Sequence, residues 1–172
     1  MKAALILTAA LIALPVVAMA QAIVPDPAIT PGAVRTTDAF DVCSHGTAQL
    51  RHMSRDRSDA IMAAYGLPGG PHEAYEIDHL IPLSIGGSDD DHNLWPEPRR
   101  MIEPEWSAER KDELEMRLHN LVCAGQIEIT AAQKAIADDW TEAWLRYVAY
   151  LSLVLRSRLT CAAAMRRAVT SA

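Results

Sequence analysis

The chain has 172 residues, half of them hydrophobic, and a formal net charge of −6. Its length suits one domain with little left over for a second. The acidic balance counts against casual nucleic-acid binding, whose usual footprint is a basic surface. The three cysteines, Cys43, Cys123 and Cys161, lack the C-x-x-C spacing of a zinc knuckle.

In chain order, Lys2 is followed by the apolar run AALILTAALIALPVVAMA, which closes on Ala18-Met19-Ala20, the A-x-A pattern of a signal-peptidase site. The core before Pro15 is shorter than the ~20 residues a bilayer demands, so residues 1–20 read as a cleaved signal peptide rather than an anchor. The mature chain then starts near Gln21, and losing Lys2 takes its charge from −6 to −7. Export places it in the periplasm or the medium, where one disulfide and one odd thiol are the default. Cys43–Cys123 is the preferred pair, because both flank the motif region and Cys161 lies in a tail of different composition. Three reduced, buried cysteines are the alternative.

Residues 21–42 open with three prolines and a glycine and read as an extended lead-in. Between Ser44 and Tyr65 the spacing of Leu50, Met53, Ile61 and Met62 predicts one or two short helices, which GLPGGP at 66–71 ends. In the stretch YEIDHLIPLSIGGSDDDHNLWPEP at 75–98, YEIDHLIPL and NLWP read as strands joined through a Gly-Gly turn, a hairpin with a long loop. Asp89, Asp90 and Asp91 lack the spacing of a calcium loop and read as a solvated turn. Ser107 is placed to cap the next helix and Gly125 to stop it. Leu114, Leu118 and Leu121 give that helix a core stripe, and Asp112, Glu115 and His119 share a different face. Lys111 and Glu115 also fit an ordinary i,i+4 surface pair. A last helix is expected after Thr130 as cap, with Ala132, Ile136, Trp140, Trp144 and Tyr147 along one packing face. At that helical spacing the two tryptophans read as core rather than as a base-stacking platform. Residues 151–172 form a basic tail, with Arg156, Arg158, Arg166 and Arg167 and no acid. The fold class expected is α+β, a mainly helical small domain around a strand–turn–strand–helix unit.

The chemistry concentrates in that unit. Cutting a phosphodiester needs a base to take a proton from water, positive charge against the phosphate, and stabilisation of the leaving oxygen. Histidine suits the first task, and a hard divalent ion on carboxylate oxygens suits the others. Neighbours in an ideal strand point to opposite faces. Asp78 and His79 therefore meet at one site only where the strand ends or twists against a packed helix. Asn93, on the second strand, offers an amide to orient the histidine.

These residues resemble the HNH endonuclease signature, in which an acid–histidine pair, a Gly-Gly turn and an Asn-Leu lead into a helix. The stretch is similar to small bacterial HNH proteins in which NLWPEP precedes a KD-x-LE helix and a later VC-x-G. The matching residues are Lys111-Asp112, Leu114-Glu115, Val122-Cys123 and Gly125. The resemblance covers about residues 43–147, within a nuclease-like domain drawn at 43–150. It implies a ββα-metal fold, His79 as general base, Asp78 as ligand to one divalent metal, and Asn93 as the asparagine that orients the histidine. Cleavage would leave 5′-phosphate and 3′-hydroxyl ends.

The chain departs from the signature at its third position, where many members carry a histidine or asparagine in the first turns of the helix. Asp112, Glu115 and His119 are the candidates. Asp112 and His119 are separated by about 10 Å along the axis at 1.5 Å per residue and cannot share one ion. Asp112 is favoured as the second ligand, nearer the expected metal. Magnesium or manganese suits such an oxygen-rich site, and zinc or nickel fits if His119 ligates. The expected partner is nucleic acid, DNA ahead of RNA, met by a monomer with no membrane attachment after signal cleavage. The alternatives are a non-catalytic metal- or nucleic-acid-binding module that keeps the scaffold, and a toxin or effector nuclease with a cognate inhibitor.

Overall fold

The computed structural model describes residues 23–70 and 72–150; the expected signal segment, the basic tail and Cys161 lie outside them. Among the described residues the order is α1 (Ala39–Ser44), α2 (Arg55–Ala64), β1 (Tyr75–His79), β2 (Leu94–Pro98), α3 (Ala108–Cys123), α4 (Ile129–Asp138) and α5 (Trp140–Trp144). It is a small mixed domain of helices and one two-stranded antiparallel sheet, as the α+β expectation holds. No helix among the described residues is long and apolar enough to cross a membrane.

The strands pair with Ile77 opposite Pro96, Asp78 opposite Trp95 and His79 opposite Leu94. With side chains alternating along each strand, Tyr75, Ile77 and Leu94 share one face and Asp78, Trp95 and Glu97 the other. The first face packs on Ile61 and Met62 of α2. The second meets the start of α3. The larger core lies beyond the hairpin's end, where Ile81 and Ile85 join Leu114 and Leu118 of α3, Ile136 of α4 and Trp140.

The loop between the strands is pinned by close packing and hydrogen bonds. Its Gly86-Gly87 pair is needed where it stands. Gly86 has φ +88°, and a Cβ on Gly87 would lie 1.8 Å from the Ile81 carbonyl oxygen. Neither conformation nor space admits a side chain. The lead-in runs along this loop: the Arg35 and Thr36 amides donate to the Gly86 carbonyl, and the Ser88 amide donates to the Ala33 carbonyl. Asn93, 0% exposed, clasps it from within. Its Oδ1 accepts from the Ile81 amide at 2.9 Å and the Ala33 amide at 3.3 Å, and its Nδ2 donates to the carbonyls of Ile81 and Ser88, both at 2.8 Å.

Ser107 occupies the N-cap position of α3, though its hydroxyl makes no cap hydrogen bond. The helix ends at Gly125, φ +65°, whose amide donates to the Val122 carbonyl while the Gln126 amide reaches that of Leu121, a Schellman closure. The expected last helix is two. Asp139, extended at φ −164°, ends α4, and its carboxylate accepts from the Thr141 and Glu142 amides to start α5. Thr130, the expected cap, lies inside α4: Glu128 holds the N-cap position and the helix begins at Ile129, which is buried in the core. The tryptophans belong to that core: Trp106 packs edge-on against Trp140 and Trp144. A disulfide joins Cys43 to Cys123, tying the end of α1 to the end of α3.

Candidate active site at the end of the hairpin

Asp78 and His79 share a site because β1 stops at His79. Both line an open cleft of about 360 Å³, together with Thr47, Arg51, Ser84 and Glu115. The histidine ring is almost wholly buried within its wall. His79 Nε2 donates to Asp89 Oδ1 at 2.8 Å, an arrangement that puts the lone pair of a neutral ring on Nδ1. That nitrogen lies 3.8 Å from Asp78 Oδ1, on the side of the ring toward the carboxylate that shares the cleft.

Asp89 departs from the solvated turn expected of it, although Asp90 and Asp91 remain mostly exposed. Its Oδ2 accepts from the His52 amide at 2.9 Å and from Arg57 Nη1 at 3.0 Å. Arg57, in the first turn of α2, also donates to the Asp89 carbonyl. The acid is drawn inward because Asn93 holds the carbonyl of Ser88, the residue before it. Burial works against the Asp89 charge, but hydrogen bonds from His79, the His52 amide and Arg57 outweigh it and hold the carboxyl below its ordinary range. Arg57, Asp89 and His79 thus form a chain in which each member fixes the next. The amide of Asn93 bonds to backbone, and the ring's orientation comes from Asp89 instead.

The other side of the site is a cage around Lys111, which is 0% exposed. Its Nζ donates to Asp78 Oδ2 at 3.0 Å, to the His79 carbonyl at 2.7 Å and to Glu115 Oε1. Glu97 Oε2 lies 3.6 Å away. Burial opposes the ammonium's charge, but Asp78, Glu115 and Glu97 raise its pKa well above the ordinary lysine value. Burial likewise opposes the Asp78 charge, and Lys111 then holds that carboxyl far below the usual range. Glu97 goes the other way: its burial dominates, pushing it well above the carboxylate range. Glu115 rises to about 7, chiefly from burial, with Lys111 opposing and Asp78 adding to the rise.

Of the residues expected to hold a metal, Asp78 and Glu115 come together, with Lys111 between them. Asp112 is on an exposed stretch of α3, its carboxyl raised by burial and by the charge of Asp78. His119 Nδ1 donates to the Ser84 carbonyl at 2.8 Å, and the ring lies 3.7 Å from Cys123 Sγ, beside the disulfide. Among the described residues no group of three or more His, Cys, Asp or Glu is arranged to hold an ion. The carboxylates that converge do so on an ammonium, so the donor set does not fit a divalent metal as it stands.

Arg51 escaped the sequence reading altogether. Its Nη2 donates to the Ile77 carbonyl at 2.7 Å and its Nη1 to Asp78 Oδ1 at 3.4 Å, and its side chain is 39% exposed on the cleft wall. Nothing in its local sequence marks it. Lys111 did leave a signal: it stands three and seven residues before Leu114 and Leu118, a cation on the helix's apolar stripe. No protein-family model matches the chain, and no curated protein and no solved structure matches it either.

Proposed function

We propose that the protein is an endonuclease of HNH type that hydrolyses phosphodiester bonds with His79 as general base, on a ββα unit made of β1, β2 and α3. The observation that carries this reading is the Arg57–Asp89–His79 chain ending on an open cleft. Asp89 accepts a hydrogen bond from Nε2–H, so Nδ1 of the neutral ring keeps its lone pair and takes a proton from water as that water attacks phosphorus. The P–O3′ bond breaks, and the leaving 3′-oxygen takes its proton from solvent in the open cleft. Arg51 meets the phosphate charge from the cleft wall, exchanging its hold on Asp78 for the substrate. Asn93 acts at one remove, by fixing the loop that carries Asp89. The Cys43–Cys123 disulfide supports an exported protein, acting on nucleic acid outside the cytoplasm, DNA ahead of RNA. This reading routes no step through a metal.

Incubating the mature chain with supercoiled plasmid and with single-stranded RNA tests the reading. Loss of a positioned base costs about 10²–10⁴-fold, so His79→Ala and Asp89→Asn are expected to lose cleavage by about 10²-fold or more while keeping the far-ultraviolet spectrum of the parent. Equal cutting by parent and His79→Ala chains would sink the mechanism. A chain that binds nucleic acid and cuts none would favour the non-catalytic module.

A further inference from the structure

The cage around Lys111 has a consequence for which cation this site holds. An ammonium has three N–H groups, and Lys111 spends all three: on Asp78 Oδ2 at 3.0 Å, on the His79 carbonyl at 2.7 Å and on Glu115 Oε1. A third carboxylate, Glu97, is 1% exposed and brings Oε2 to 3.6 Å, while its Oε1 has no hydrogen-bond partner among the described residues. The oxygens come from β1, β2 and α3, so the cage also joins helix to hairpin. Three carboxylates and a carbonyl around one positive centre are the donors a hard divalent ion takes. Here the position is filled by a side chain, and the other oxygen of Asp78 faces Arg51 at 3.4 Å.

We propose that the Lys111 ammonium is the resident cation of this site. Asp78, Glu97 and Glu115 take up no divalent ion while the lysine is in place, and they become a divalent-ion site once its charge and volume are removed. An incoming ion would need the oxygens the ammonium occupies, and would meet its charge and that of Arg51 across a buried gap with little screening. For cutting, the consequence rests on the nuclease reading: cleavage continues in excess chelator. The occupancy itself rests on the cage alone.

Manganese ion is the probe, followed by calorimetry and by the loss of its free-ion paramagnetic resonance signal. The wild-type chain and Asp78→Asn are expected to give the same isotherm, with no site that depends on Asp78. Lys111→Ala is expected to bind one Mn2+ at least ten-fold more tightly than wild type, and the Asp78→Asn/Lys111→Ala pair to lose it again. A wild-type chain that binds one Mn2+ and surrenders it on Asp78→Asn overturns the proposal. So does a folded Lys111→Ala chain that binds none. Should removal of the lysine prevent folding, the comparison of wild type with Asp78→Asn decides alone. Cleavage that needs Mg2+ and tracks Mn2+ binding at Asp78 defeats the proposal and leaves the nuclease reading intact. No cleavage with or without metal, beside a wild-type chain without an Asp78-dependent site, defeats the nuclease reading and supports the cage.

Discussion

The two faces of the hairpin are built from alternate residues of the same strands and are held by opposite kinds of interaction. Toward α2, Tyr75, Ile77 and Leu94 pack hydrocarbon on Ile61 and Met62. Toward α3, Asp78 and Glu97 surround the ammonium of Lys111. The first face is stabilised by removing apolar surface from water, at about 25 cal/mol per Å². The second gains little net stability over a hydrocarbon filling of the same volume, because desolvating its charges offsets their attraction. A fold needs only the first kind of face. The chain keeps the second at the end of β1, where Asp78 and the buried ring of His79 line the cleft, and there charge has a use in chemistry.

The contrast breaks most sharply at Lys111. Removing one partner of a buried ion cluster leaves the others uncompensated, at a cost of roughly 3–5 kcal/mol. Lys111→Ala is therefore expected to lower the free energy of unfolding in urea by about that much, and by more at pH 8 than at pH 5, because the carboxylates left behind ionise as pH rises. A loss under about 1 kcal/mol at both pH values would show that the cage adds nothing to the fold, and that the two faces differ less than their composition implies.

The same contrast explains what the sequence disclosed. Alternation of apolar residues around Asp78-His79, the Gly-Gly turn and the spacing of Leu114, Leu118 and Leu121 are local signals, and hairpin and α3 form at those signals, although β1 stops at His79, short of the expected Leu83, and β2 runs on to Pro98. The Cys43–Cys123 pair was legible because both cysteines flank the motif. The polar partners were less so. Asp89 sits in a run of three acids, and only the set of the loop, fixed by Asn93 and the glycine pair, turns that one inward. Lys111 and Glu115 have the spacing of a surface pair, and become a buried cage because the first turns of α3 cross the hairpin, a tertiary fact. Asp139 breaks the last helix although the apolar pattern continues across it, since its side chain caps the next segment. Hydrocarbon faces are periodic and can be read along the chain. Ion clusters are assembled from distant positions and have no period.

Acidity sharpens the comparison, with an effect on the order of 2–3 kcal/mol. Glu115 holds its proton up to about 7 in the folded chain, whereas an unfolded glutamate loses it near 4.3. Between those values the unfolded state has lost a proton that the folded state keeps, so stability falls as pH rises through the window and levels off above it. Glu97, also raised by burial, adds to the decline in the same direction. Asp78, held low, has the opposite sign: its contribution is full above the ordinary carboxylate pKa and is lost on acidification below it. In Glu115→Gln the decline between pH 5 and 8 is expected to be shallower by that amount in urea titrations. Parallel curves for the two chains would mean that Glu115 is ionised throughout, and that Lys111 outweighs the burial of its partner.

The smallest effect belongs to the apolar face, and its value lies in what it does not depend on. Ile77 alternates with Asp78 on β1 and is 8% exposed, packed in the α2 cluster. Ile77→Val removes one methylene there and is expected to cost about 0.5–1.5 kcal/mol. No ionisable group has its proton affinity set by that methylene, so the cost should be the same at pH 5 and pH 8, and the same with and without added salt. The Lys111→Ala cost varies with pH. If the Ile77→Val penalty instead changed with pH by more than about half a kcal/mol, contact across the strand would be transmitting packing into the charge cage. The backbone of β1 would then join the two faces energetically, and the position of His79 would depend on hydrocarbon packing as much as on Asp89.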